Sequence, residues 1–232
     1  MIEIHTHILP GIDDGSQSVD ESIEMLNRMA KTGIKKVVAT PHFYYGMYSS
    51  IDEFLEKRQF AYEKIKDKKP ENIDVLLGSE VMLEYNLHKE DLQKLTIEGT
   101  DYILVEMPYN KWDPWVFDEI FKISAKHGLY VIIAHIDRYV KIVKDEHIRS
   151  LMEMNLKFQV NVDNLGSLFR KSNAMKFIED GVADFASSDC HNMTTRPPCL
   201  AEAMKKIKSR AGKNSVEQLM YNAERMLQNK NL

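Results

Sequence analysis

The sequence predicts an α/β fold, a parallel-stranded barrel wrapped by helices, and three features of its 232 residues carry that expectation. Short apolar runs rich in Val and Ile alternate with helix-period segments from end to end, the pattern of a parallel sheet in either a barrel or an open doubly wound form. No GxGxxG or GxxxxGK[ST] follows any run, which removes the usual phosphate-loop reasons for the open sheet and favours the barrel. Six of the seven runs also end in a His, Asp or Glu, and in α/β barrels the chemistry gathers at the C-terminal ends of the strands.

The runs fall at residues 2–5, 35–40, 73–80, 102–107, 130–135, 157–162 and 183–189, each too short for a helix. Between them, Ser18 and Glu21 form a capping box that opens a helix burying Ile23, Leu26 and Ala30 and stopping near Gly33. Ser50 and Glu53 open a second helix with Phe54, Ala61 and Ile65 on one side. Asp113 suits an N-cap with Pro114 at the first helical position, and Gly128 suits the end of that helix. Further helices are expected over about 145–154, 171–180, 197–210 and 215–228. No internal repeat, low-complexity tract or Gly/Ser linker interrupts this order, so residues 1–232 read as one domain.

A formal net charge of −4 implies no basic face and argues against a nonspecific nucleic-acid binder. No basic region followed by an apolar run marks a signal peptide, and no stretch approaches the roughly eighteen apolar residues of a spanning helix. The only cysteines, Cys190 and Cys199, do not suggest a disulfide framework. The expectation is a cytoplasmic protein without membrane insertion.

The strand ends are more informative. The first run ends in His5 and His7, the second reaches His42, and the third, fourth and fifth end in Glu80, Glu106 and His135. The seventh ends in Asp189 and His191. Crowding these groups on one face without partners would be costly, and metal cations remove that cost by supplying opposite charge. Residues two apart on an extended strand face the same side, so His5 and His7 can serve one ion, and Asp189 with His191 repeats the spacing. Mixed imidazole and carboxylate donors suit Mn, Fe or Zn better than Mg or Ca, and the supply fits two or three ions.

In order along the chain, HTHILPGIDDG, ATPH, GSE, LVEMP, AHIDRY and SSDCHN-x-x-TRP resemble the polymerase-and-histidinol-phosphatase (PHP) superfamily. More closely, they resemble the bacterial tyrosine phosphatases of capsule and exopolysaccharide gene clusters. The resemblance implies a distorted seven-stranded (β/α) TIM-like barrel and a manganese-type, metal-dependent protein-tyrosine phosphatase. Its substrate would be a phosphotyrosine protein, the tyrosine-rich tail of a kinase in polysaccharide synthesis. It further implies that His5, His7, Glu80 and Asp189 hold one ion, with Glu80 bridging to a second completed by Glu106 and His135. Asp14, His42 and His191 would hold a third, and Arg138 and Arg196 would bind phosphate. The choice of Asp14 over Asp13 rests on the resemblance alone. Relatives commonly read HPER where this chain has His135, Ile136, Asp137 and Arg138, so the loop that aims the arginine is open to change. The alternative within the superfamily is a phosphoesterase acting on a small metabolite such as histidinol phosphate.

A competing motif lies in the same stretch. Cys190 and Arg196 enclose five residues, the spacing of thiolate-dependent tyrosine phosphatases. Those five contain no glycine to shape a phosphate cradle, and Pro197 and Pro198 follow where a helix would continue. Strand alternation also points Cys190 away from its neighbours Asp189 and His191. In the loop after His42, Phe43, Tyr44, Tyr45 and Tyr48 divide between packing and contact with an aromatic substrate ring.

Overall fold

The computed structural model describes residues 1–163, 165–166 and 172–232. Its order is β1 (Ile2–Thr6), α1 (Val19–Lys31), β2 (Lys36–Ala39), β3 (His42–Phe43), α2 (Ile51–Glu63), β4 (Asp74–Leu77), β5 (Glu80–Met82) and β6 (Tyr102–Glu106). There follow α3 (Pro114–His127), β7 (Tyr130–Ile133), α4 (Ile136–Tyr139), α5 (Asp145–Met152), β8 (Lys157–Asn161), α6 (Asn173–Glu179), β9 (Phe185–Ser187), α7 (Leu200–Ala211) and α8 (Lys213–Leu227). The expected helix at 171–180 is α6, and its first expected residue lies outside the described residues.

Among the described residues every strand pairing is parallel, in two sheets ordered β1-β2-β4 and β3-β5-β6-β7-β8-β9. Two of the expected strands are interrupted. Only Thr40 and Pro41 separate β2 from β3, and only Gly78 and Ser79 separate β4 from β5. The far end of the larger sheet meets the first strand again: Thr6 and Cys190 form a parallel bridge, and His7 N–H donates to the Cys190 carbonyl at 2.9 Å.

Helix ends follow their caps. Ser18 Oγ accepts from Glu21 N–H at 3.2 Å, while Glu21 Oε2 reaches back to Gln17 N–H rather than to Ser18, closing the box one residue earlier than expected. Ser50 accepts from Glu53 N–H at 3.1 Å, and Glu53 returns to Ser49. Each such cap stabilises its helix by about 1 kcal/mol. Gly128 takes φ +66°, and its N–H closes α3 on the Ser124 carbonyl, a conformation that costs glycine least. Met25, Leu26 and Met29 carry the buried face of α1, with Ile23 and Ala30 at its margin.

The apolar layer between sheet and helices includes Val37, Val81, Ile103, Val105, Val131 and Ile133. A second cluster gathers Ile4, Val38, Leu104, Ile132 and Phe185 with Ala223 and Met226 of α8. This packing holds the strand ends in register, so the polar residues just beyond them converge. Among the described residues, no helix is long and apolar enough to cross a membrane.

Candidate metal centre

His5 and His7 are fully buried at the end of β1, and their Nε2 atoms lie 3.2 Å apart. After His7 the chain doubles back, with Ser16 N–H donating to the His7 carbonyl and Gly11 N–H to that of Ser16. Glycine is required at position 15, because a Cβ there would stand 2.2 Å from the His7 carbonyl oxygen.

That hairpin separates the roles of two adjacent aspartates. Asp13 Oδ2 lies 2.7 Å from His7 Nδ1 and accepts from His42 N–H at 3.0 Å, while its Oδ1 accepts from Gly15 N–H. Burial alone would lower the His7 pKa, but Asp13 offsets this and holds it well above the usual range. Asp13 thus orients His7 with Nε2 turned inward. Asp14 instead reaches the centre, its Oδ1 standing 3.5 Å from His42 Nε2 and 3.4 Å from His191 Nε2.

Three groups of side chains each bring one donor atom within 4.8 Å of all the others. They are His5, His7, Glu80 and Asp189; His7, Asp14, His42 and His191; and His42, Glu80 and Glu106. His135 stands outside these groups, yet its Nε2 is 2.8 Å from Glu80 Oε1 and 3.5 Å from Glu106 Oε1. All nine sequence-derived candidates therefore meet in one place. Two of them, His135 at φ +32° and Asp189 at φ +51°, leave their strands in the left-handed region, a strained conformation that turns the chain sharply at the site.

The donor set fits divalent cations on its own chemistry. His42 Nδ1, Glu106 Oε2, Asp189 Oδ1 and His191 Nε2 are buried and make no hydrogen bond, although each faces a carboxylate or an imidazole nearby. Burial, then the charge of Glu80, pushes Glu106 up to about 8, and burial pushes His42 down to about 4. A cation between these groups would favour both the carboxylate and the neutral imidazole, the forms that ligate metal.

Both arginines reach the same carboxylate. Arg138 Nη2 donates to Asp189 Oδ2 at 2.8 Å and Arg196 Nη2 at 2.5 Å, and each side chain is about a third exposed. The HIDR sequence still delivers its arginine: Ile136 is buried at the start of the short helix α4, which carries Arg138 to Asp189. Asp137, unassigned in the sequence, accepts from Asn161 N–H at 2.9 Å and anchors α4 to β8.

The aromatic loop divides. Phe43 stacks on Tyr48 and meets Phe54 inside the core, whereas Tyr44 stacks on His42 at 5.0 Å on the rim and Tyr45 is exposed. Tyr109, which sequence reasoning missed, lies opposite on the β6 side, its hydroxyl 3.4 Å from His135 Nδ1 and 3.3 Å from Arg138 Nη1. Gln159 was missed too; a lone amide within an apolar strand carries no motif. Cys190 is fully buried, and burial pushes its thiol far above the usual range, the opposite of an activated nucleophile.

A model of the family described as capsular polysaccharide synthesis, CpsB/CapC, matches residues 1–228. The chain is 30% identical to tyrosine-protein phosphatase YwqE of Bacillus subtilis over 239 residues, covering 100% of this chain and 93% of YwqE. It is 28% identical to tyrosine-protein phosphatase CpsB of Streptococcus agalactiae over 241 residues, covering 99% of each. A crystal structure from work on YwqE of Bacillus subtilis and CpsB of Streptococcus pneumoniae, described there as metal-dependent tyrosine phosphatases, aligns with a TM-score of 0.82. The identity is 28%, covering 100% of this chain and 96% of that one.

Proposed function

Because this chain belongs to the capsular polysaccharide synthesis CpsB/CapC family, we propose that it is a metal-dependent protein-tyrosine phosphatase, hydrolysing phosphotyrosine in a protein substrate. The observation that carries this reading is the convergence of nine imidazole and carboxylate side chains beside two arginines that meet at one point.

We read the nine strand segments as seven strands, two of them interrupted, in a distorted (β/α) barrel formed by one domain over residues 1–232. His5, His7, Asp14, His42, Glu80, Glu106, His135, Asp189 and His191 would hold two or three divalent ions, for which manganese is favoured and iron or zinc are alternatives. Bound ions would lower the pKa of a coordinated water and screen the phosphoryl charge. Asp13 keeps His7 Nε2 turned toward the centre, and Asp189 keeps both guanidinium groups directed at its mouth. There the planar forks of Arg138 and Arg196 match the phosphoryl oxygens and stabilise the charge that develops on them. Tyr44 and Tyr109 border this mouth and offer faces for an aromatic leaving group. A phenolate of pKa about 10 departs far more readily than an alkoxide, so no strong general acid is assigned.

The capsular context of the family supports a substrate in the tyrosine-rich tail of a polysaccharide-synthesis kinase, met in the cytoplasm. Turnover of phosphotyrosine peptides compared with histidinol phosphate by the metal-loaded protein tests the assignment. Preference for the peptides is expected, and clear preference for histidinol phosphate would sink it.

A further inference from the structure

β8 delivers no candidate ligand, yet it places two fully buried amides, Gln159 and Asn161, on its inward face. We propose that these two are positioning residues, which hold His5 by its Nδ1–H with Nε2 left for an ion and fix the orientation of the Asp189 carboxylate. The proposal rests on reading the cluster as a metal centre, but not on which phosphoester is hydrolysed.

The polarity of the pair follows from one backbone group. The His135 N–H can only donate, and it points at the Gln159 side chain at 2.7 Å, so the atom it meets is Oε1. The opposite end of that amide is then Nε2, which donates to Asn161 Oδ1 at 2.9 Å. Asn161 in turn presents Nδ2 to Asp189 Oδ2, at 2.7 Å. Reversing either amide would place like against like in a buried site, at a cost of about 1–3 kcal/mol for each unsatisfied group.

Two consequences reach the ligands. Gln159 Oε1 also lies 3.2 Å from His5 Nδ1, and since it can only accept, Nδ1 carries the proton. That leaves Nε2, the atom 3.1 Å from Glu80 Oε2 and 3.4 Å from Asp189 Oδ1, as the nitrogen an ion among these carboxylates would take. At Asp189, Oδ2 already takes Asn161, Arg138 and Arg196, which leaves Oδ1 turned to His5 and His7. One amide pair thus orders two ligands that come from opposite ends of the chain.

The wild-type protein supplies the first test. In protein loaded with diamagnetic Zn²⁺, nitrogen NMR of the imidazoles should show His5 protonated at Nδ1, and a proton on Nε2 instead would overturn the proposal. Calorimetric titration with Mn²⁺ supplies the second. Gln159→Leu should weaken one class of site about 10–100-fold, the usual cost of losing such a partner, and leave the ions near Asp14, His42 and His191 little changed. Asn161→Ala, a smaller disturbance should Gln159→Leu not fold, should weaken the same site class. Wild-type affinity in folded Gln159→Leu or Asn161→Ala would contradict it. No readout uses turnover, so a different substrate would leave the result standing.

Discussion

Arg138 and Arg196 meet at a single atom: both donate to Oδ2 of Asp189, from α4 on one side and from the loop before α7 on the other. The other oxygen of that carboxylate faces His5 and His7. Asp189 therefore joins the two arginines, the proposed phosphate binders, to the proposed metal ligands.

The arginine pair gives the first prediction. Arg196→Lys and Arg138→Lys keep the charge but lose the fork, so kcat/KM on a phosphotyrosine peptide should fall by about 10²-fold in each, with Mn²⁺ binding nearly unchanged. Steady-state kinetics beside calorimetry check it, and loss of metal binding equal to loss of activity would count against a phosphate role.

Asp13 and Asp14 should separate experimentally. Asp13→Asn weakens the acceptor behind His7, so Mn²⁺ affinity should drop about 10-fold or more even though Asp13 is not itself a candidate ligand. Asp14→Asn should weaken the ion shared with His42 and His191 and spare the remainder. Calorimetric site counts distinguish the two outcomes.

Asp184 supplies a prediction in pH. Burial raises its pKa above the ordinary value although its Oδ2 accepts from Phe158 N–H at 2.8 Å. The folded state then binds more protons than the unfolded one in the window from about pH 4 up to the raised value, and stability falls as pH rises across it. Asp184→Asn keeps an acceptor for Phe158 without the charge. Relative to wild type, the variant should gain melting temperature as pH rises above about 4, keep the gain above the raised value, and show little difference below about pH 4. Thermal melts in chelator across that range check the sign.

Much of this candidate site was legible because its proposed ligands stand at strand ends, where alternation and spacing say which way each points. The His5–His7 and Asp189–His191 spacings needed no tertiary information, and the capping residues Ser18, Ser50 and Gly128 announced helix ends directly. The interruptions at 40–41 and 78–79 were not legible, since an apolar run does not encode where its pairing breaks. The four-residue helix α4 is too short to show a period. The resemblance singled out Asp14 over Asp13 with no physical reason, which the hairpin that Gly15 folds onto His7 supplies. Gln159 gave no sign because its significance lies in the backbone N–H of His135, which is distant in sequence.

The central claim is that metal, not the Cys190 thiolate, drives hydrolysis. Its most direct test strips the protein with a chelator, re-adds Mn²⁺, and follows phosphotyrosine hydrolysis in wild type, Cys190→Ser and His5→Ala. Activity should vanish on chelation, return with Mn²⁺ in wild type and Cys190→Ser, and stay low in His5→Ala. Metal-independent turnover that Cys190→Ser abolishes would contradict the account.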